Sequence, residues 1–338
     1  MNKKRIIISR TDSIGDVMLT LPLAGILKKE FPNSYLIFLG KTYTKAVIET
    51  CKHINEFADW DFISAKDNTQ AIEAFRKLKA DIIIHVFPRK EINLIAKKAD
   101  IPFRIGTRNR TYHWLGCNKL IKLSRKNSDL HESQLNLKLL SPFKINTEIK
   151  LEEIHNYYGF NKLKSLPKEI LDLIDKSKFN LILHPKSKGS AREWGLDNFA
   201  KLIKILPKDK FKIFITGTAV EADLMKDQIL NKYQDEVIDM TSKLDLTQLI
   251  SFINEADGLI AASTGPLHIA AALGKHALGI YPPIRPMHPG RWAPVGQNAF
   301  YFVLDKECSD CRKTSNCECM HSISPEMVKA KLESIINK

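Results

Sequence analysis

The stretch Asp257–Pro283, DGLIAASTGPLHIAAALGKHALGIYPP, constrains the fold more than any other part of this 338-residue chain. Its opening run, Gly258-Leu259-Ile260-Ala261-Ala262, is apolar without alternation, as a parallel strand buried on both faces must be. Two hydroxyl residues and a glycine follow. Pro266 then stands in the first turn of a helix, where its missing N–H costs nothing. Good helix formers run from Leu267 to Leu273, Gly274 stops the helix, and Ala277–Tyr281 reads as the next strand. The turn Ser263-Thr264-Gly265 therefore lies at the carboxyl end of a parallel strand and at the amino end of a helix. Free N–H groups and the positive helix end meet there and favour an anion, and open parallel sheets take their ligands in that crevice. The same pattern also describes an ordinary βαβ turn in which small residues let the helix pack. His268 on its own is as readily a packed residue as a ligand.

The alternation recurs along the chain. Arg5–Ser9, Tyr35–Gly40, Asp81–Val86 and Phe103–Gly106 read as strands of a first half, separated by segments of helical periodicity. Asn180–Pro185, Phe211–Ile215 and Val237-Ile238 precede the opening stretch in a second half. Between them, Glu148 to Lys178 is polar and helical, which marks a domain junction. Strands alternating with helices imply parallel sheets covered on both faces, and the length suffices for two domains. Two doubly wound domains with a cleft between them is the simplest architecture. Ser324-Pro325-Glu326 has the cap, proline and acid of a helix start, so residues 325–336 form a final helix.

Charge is unevenly spread. Residues 1–150 hold 27 Lys and Arg against 15 Asp and Glu, a balance of +12 out of the net +14. The first half is thus suited to an anionic partner: a phosphorylated substrate, a membrane face or a nucleic acid. The basic residues are scattered and no nucleic-acid motif is present, which argues against the last. No apolar run approaches the ~20 residues that span a bilayer, and the N-terminal apolar run is too short for a signal peptide, so a cytoplasmic location is expected. Of six cysteines, Cys308, Cys311, Cys317 and Cys319 cluster as C-x2-C-x5-C-x-C. This set could hold a structural zinc tetrahedrally or could be packed thiols, and in a cytoplasmic chain it is not a disulfide framework.

Two further turns carry candidate chemistry. Asp16 follows the first strand, where a carboxylate can serve as a general base or cap the next helix. Lys186-Ser187-Lys188-Gly189-Ser190-Ala191-Arg192 follows the Asn180–Pro185 strand. A loop of this composition can wrap phosphates with backbone N–H groups and an arginine fork, or be a solvated surface loop. Neither a dinucleotide fingerprint nor a P-loop spacing is present.

Together, SRTDSIGDVMLTLPL (9–23), LHPKSKGSAREWGLDNFAKL (183–202), ITGTAVEAD (215–223) and STGPLHIAAALGKHALGIYPP (263–283) resemble the heptosyltransferases of lipopolysaccharide core synthesis, glycosyltransferase family 9. The resemblance implies an α/β GT-B fold, with two Rossmann-like domains of parallel sheet facing a central cleft. Residues 1–165 would bind the acceptor and 175–322 the nucleotide sugar, and 323–338 would form a helix returning to the first domain. It implies an inverting transfer from ADP-heptose to a lipopolysaccharide core or lipid A precursor acceptor, with no cofactor required, at the cytoplasmic face of an anionic inner membrane. Asp16 takes the place of the catalytic base. Ser187, Lys188 and Arg192 match positions near the diphosphate, Glu221 matches the acid at the nucleoside, and Leu244 would lie against the adenine. Thr264, Gly265 and His268 match the sugar-diphosphate turn, which Ser263 precedes. Arg104, Arg108 and Arg110 are candidate acceptor contacts. Ser263 stands where several members carry Asp, which leaves open a different nucleotide sugar. A non-catalytic sugar-nucleotide binder is a further alternative, against which the retained Asp16 argues.

Overall fold

The computed structural model describes residues 3–306, 308 and 317–337. The chain divides into two compact units, Met1–Lys162 and Leu163–Lys338. The division falls inside the polar stretch read as a junction.

The first unit is built on six parallel strands: β1 (Arg5–Ser9), β2 (Tyr35–Gly40), β3 (Glu56–Asp59), β4 (Ile82–His85), β5 (Phe103–Thr107) and β6 (Lys119–Ile121). Their order is β3-β2-β1-β4-β5-β6. The second unit holds β7 (Phe179–His184), β8 (Phe211–Ile215), β9 (Val237–Asp239), β10 (Gly258–Ala262), β11 (His276–Ile280) and β12 (Ala299–Phe302), ordered β12-β11-β10-β7-β8-β9. Each order is that of a doubly wound sheet, which reverses direction between its first and fourth strands. The reversal lies between β1 and β4 in one unit and between β7 and β10 in the other. The β1 and β4 strands pair Ile7 with Ile83 and Ser9 with His85, and the β7 and β10 strands pair Leu183 with Ile260 and His184 with Ala261.

The central strands are apolar on both faces because helices cover both. Ile6, Ile7 and Ile8 are wholly buried, as are Leu181, Ile182 and Leu183. The C-terminal helix, Pro325–Ile336, belongs to the second unit. Its Val328 and Leu332 join the core formed by the Leu196–Ile205 helix and the sheet. Trp194 is fully buried there, and its indole N–H donates to Ile323 O at 2.7 Å. The apolar face of the helix is legible in sequence, but not the core that it covers.

In the Leu21–Glu30 helix, Gly25 lets Tyr157 approach closely. A Cβ at Gly25 would lie 2.0 Å from the Tyr157 carbonyl oxygen. Replacing glycine by alanine inside a helix normally gains roughly 0.5–1 kcal/mol. Here backbone would have to move, at a cost of about 1–3 kcal/mol. Gly25→Ala should therefore lower the urea midpoint, whereas propensity alone would raise it.

His85, at the end of β4, is wholly buried, and neither ring nitrogen has a hydrogen-bond partner among the described residues. Burial, with smaller contributions from His113 and Arg104, pushes its pKa down to about 3. The folded state therefore holds this imidazole neutral over a range in which the unfolded chain protonates it. Its contribution to stability is complete above the ordinary histidine value of about 6.5 and falls as pH drops toward 3. Unfolding free energy from urea titrations should decline by up to about 1.4 kcal/mol per pH unit through this group below pH 6, and His85→Met should make the decline shallower.

Candidate functional site

In the first unit the site begins at the turn after β1. Ser13 caps the Ile14–Met18 helix in position only, since its side chain makes no cap bond. Asp16 does not cap either: its carboxylate accepts from the Arg10 guanidinium on Oδ1 and from the Ser13 hydroxyl on Oδ2. Arg10 is 3% exposed and is the centre of the arrangement. Its Nε donates to Asp12 Oδ1 at 2.7 Å and its Nη1 to Glu132 Oε1 at 3.1 Å. Glu132, fully buried, also accepts from Arg125 Nε at 2.9 Å.

Glu132 and Asn136 lie four residues apart on one face of the Glu132–Leu137 helix. Asn136 accepts from Arg125 at 3.1 Å and donates to Leu19 O at 3.1 Å, which ties the helix to the chain just past Asp16. Arg89 braces the other side, donating to Thr11 Oγ1 at 2.6 Å and Thr11 O at 3.1 Å. Burial, with the neighbouring Asp16 charge adding to it and Arg10 opposing it, pushes Asp12 up to about 6. Arg10 is held charged: its three carboxylate neighbours outweigh the effect of burial.

None of Arg10, Asp12, Arg89, Arg125, Glu132 or Asn136 was picked out by sequence reasoning. Arg10 and Asp12 adjoin the motif and were within reach. Glu132, 122 positions from Arg10, gave no local signal. Of the three arginines proposed as acceptor contacts, Arg104 is half-buried. Its guanidinium donates to Gly116 O at 2.5 Å and to Ile101 O, tying the end of the Thr111–Gly116 helix to the chain just before β5. Arg108 and Arg110 are exposed.

In the second unit, four turns leave the carboxyl ends of four neighbouring strands, in the order β10, β7, β8, β9. After β10, Thr264 takes the cap position of the Gly265–Ala272 helix without a side-chain cap bond. Its hydroxyl is buried with no hydrogen-bond partner among the described residues. Ser263 is half-buried and interacts with the hydroxyl of buried Tyr281, which donates to Trp292 O at 2.6 Å. His268 is buried in the first turn of the helix.

After β7, the loop is organised by Glu193, another residue not foreseen. Its Oε1 accepts from Ser187 N and Ser187 Oγ, each at 2.9 Å, and its Oε2 is paired with Lys186. The Ser187 hydroxyl also lies 3.1 Å from Ala191 O. Ser187 thus shapes the loop through its own bonds. Lys188 at the tip is exposed with φ +50°, followed by Gly189 at φ +77°. A Cβ at Gly189 would meet nothing within 4 Å, so glycine answers the backbone conformation there and not a close contact. Arg192 is half-buried at the loop's end.

After β8, Glu221 closes a capping box on the Ala219–Met225 helix, with Oε2 accepting from Thr218 N at 2.7 Å and Thr218 Oγ1 at 3.0 Å. His184, at the end of β7, shares a hydrogen bond of 3.0 Å with Thr216 Oγ1. Burial lowers its pKa, opposed by Glu221 and Glu193 and reinforced by Lys188, so these charges converge around one imidazole. After β9, Ser242 N donates to Gly217 O at 2.9 Å. This places half-buried Leu244 next to the β8 turn.

Cys311 lies outside the described residues, so the four-thiol set is not described. Cys317 and Cys319 are buried in the core of the second unit beside Met320.

Two doubly wound parallel sheets, each with its polar turns at the carboxyl edge beside the reversal of strand order, are the architecture of the GT-B fold. The profile of glycosyltransferase family 9 (heptosyltransferase) matches residues 69–321, and the chain belongs to that family. It is 26% identical over 323 residues to the "Putative glycosyltransferase" of Haemophilus influenzae, covering 91% of this chain and 89% of that protein. Among solved structures, a glycosyl transferase family 9 protein from Veillonella parvula superposes with TM-score 0.81 at 19% identity, covering 99% of this chain and 97% of that one. The E. coli ADP-heptose lipopolysaccharide heptosyltransferase II superposes with TM-score 0.74 at 15% identity, over 98% of both chains.

The buried Glu132 yields a prediction for this site. Glu132→Ala leaves Arg10 and Arg125 without their shared buried carboxylate, which should cost about 3–5 kcal/mol of stability. Urea unfolding would show this as a large loss of midpoint, and an unchanged midpoint would refute the assigned network.

Proposed function

We propose that this glycosyltransferase is an inverting heptosyltransferase that moves heptose from ADP-heptose to a lipopolysaccharide core or lipid A precursor acceptor. The observation that carries the reading is the order of turns along the second sheet. Strands in a sheet are about 4.8 Å apart, so the four turns cover roughly 15 Å, the reach of a nucleoside diphosphate sugar in extended form. Thr264 and the free amides of the Gly265–Ala272 helix suit the sugar-diphosphate end. Lys188 and Arg192 suit the diphosphate, Glu221 the ribose and Leu244 the base. Their order on the sheet is the order of those groups along the donor.

In this reading the acceptor meets the first unit. Asp16 takes the proton of the acceptor hydroxyl as its oxygen bonds to the anomeric carbon. The bond from that carbon to the diphosphate oxygen breaks, and ADP leaves with the electron pair. Attack from the side opposite the leaving group inverts the anomeric carbon. Arg10 and Ser13 bind one Asp16 oxygen each, which fixes the carboxylate while leaving lone pairs to receive a proton. Charge developing on ADP is met by amides and cations, and the reaction proposed needs no metal cofactor. No helix among the described residues is long and apolar enough to cross a membrane. We place the protein at the cytoplasmic face of the inner membrane as a peripheral enzyme.

Ser263 favours one second reading, in which the fold and mechanism stay and the donor is another nucleotide sugar. Calorimetry with ADP-heptose and with UDP- and GDP-sugars separates the two. ADP-heptose should bind selectively, and Arg192→Ala should weaken it about tenfold to a hundredfold, as loss of a charged phosphate contact does. Asp16→Asn should keep donor affinity and lose turnover by about 10²–10⁴. Selective binding of another nucleotide sugar would move the specificity, and full turnover by Asp16→Asn would remove Asp16 as the base.

A further inference from the structure

The helix Thr111–Gly116, between β5 and the edge strand β6, carries two adjacent large apolar side chains in solvent. Trp114 is 64% exposed and Leu115 is 68% exposed. Trp60 and Trp194, by contrast, are buried. The Trp114 indole N–H donates to Arg108 O at 2.8 Å. The one polar atom of the ring is therefore satisfied by the chain itself, and the remaining ring surface can leave water without stranding a donor. On the adjoining Lys90–Lys98 helix, Lys97 Nζ reaches Leu115 O at 2.8 Å. Arg110 is the residue immediately before the Thr111–Gly116 helix, and Arg108 is exposed beside it. No acidic residue occurs between Asp100 and Asp129. Across that span Arg108, Arg110, Lys119, Lys122 and Lys126 are all exposed.

We propose that Trp114 and Leu115, flanked by Lys97, Arg108 and Arg110, form a docking point for an anionic lipid surface. Two side chains present far less area than the roughly 800 Å² per partner of a stable protein interface. A lipid interface asks for less: a few apolar groups at headgroup depth and cations over the charged surface. An indole with its apolar body outward belongs to that zone, and lysine and arginine stems can lie along the same boundary while their charges stay in water. Each cation near an anionic membrane strengthens binding about fivefold, and no acid within the span itself offsets its cations. The inference deepens the peripheral membrane contact proposed above, and rests on that contact but not on the donor or the transfer chemistry.

The test is co-sedimentation of the full chain with vesicles of phosphatidylglycerol and phosphatidylethanolamine, and with vesicles of phosphatidylcholine alone. The wild type should bind the anionic vesicles, bind phosphatidylcholine at least tenfold more weakly, and release as salt is raised. Trp114→Ala and Leu115→Glu should each lower the partition coefficient about tenfold, with the thermal midpoint and ADP-heptose affinity unchanged. Brominated lipid should quench tryptophan emission in the wild type and not in Trp114→Phe. Three results would overturn the proposal: no binding by the wild type, equal binding by the folded variants, or concentration-dependent self-association abolished by Leu115→Glu without vesicle binding. Failure here with ADP-heptose binding intact would leave the enzymatic reading standing. Vesicle binding without nucleotide-sugar binding would leave the docking point standing alone.

Discussion

A parallel strand covered by helices on both faces can meet solvent only at its ends. That constraint governs both units. The centres of β1, β4, β7 and β10 are apolar, so chemistry is pushed to the carboxyl ends of the strands and the residues just past them. Where the order of strands reverses, successive connections leave toward opposite faces and open a crevice. The turns after β1, β7 and β10 all border such a reversal, which explains why Asp16, the Ser187 loop and Thr264 occupy equivalent places in two units without a detectable sequence repeat.

The first unit handles charge differently from the second. Arg10 is a buried cation, and a buried cation is tolerable only if its partners are fixed and well aligned. Three carboxylates and a helix distant in sequence converge on it. The consequence for Asp16 is rigidity: a carboxylate held by a guanidinium that cannot itself move. The second unit relies instead on backbone. In the proposed reading its anion-facing groups are helix amides and a loop whose shape depends on Glu193 bonding to Ser187. An acid there shapes a loop read as phosphate-binding, and it pairs with Lys186 while Lys188 stays exposed at the tip.

The strands were legible because runs such as Ile6-Ile7-Ile8 and Leu181-Ile182-Leu183 have no alternation, and each turn was legible because glycine, proline and hydroxyl residues punctuate it. The short edge strand β6, Lys119–Ile121, has no such signature, since its pairing comes from β5 and not from its own composition. The network around Arg10 was illegible for a different reason. Ionic partners are set by three-dimensional convergence, and a glutamate at position 132 looks like any first-turn acid. The bonds of Arg104 were hidden in the same way: an arginine in a basic stretch reads as a surface cation, and composition gives no sign that its fork bonds the Gly116 and Ile101 carbonyls. The final helix shows the same limit: an amphipathic pattern specifies a face and not the core it covers, which here includes Trp194 with its bond to Ile323.

In the proposed reading, the parts of the donor differ in how strictly they are recognised. A diphosphate is common to every nucleotide sugar, and helix amides and lysines suit any of them. Discrimination therefore has to come from the two ends of the row of turns. At the base end, Leu244 offers an apolar surface that favours a flat purine but reads no edge of it. At the sugar end, Ser263 replaces the carboxylate that the resemblance places there, and a neutral hydroxyl forms weaker hydrogen bonds than an ionised group. That hydroxyl is already engaged with Tyr281, whose phenol is kept protonated by burial. Selection among sugars then rests on shape and on half-buried Ser263 paired with buried Tyr281, and the buried Thr264 hydroxyl, without a partner among the described residues, is the polar group most costly to leave unfilled when the wrong sugar binds.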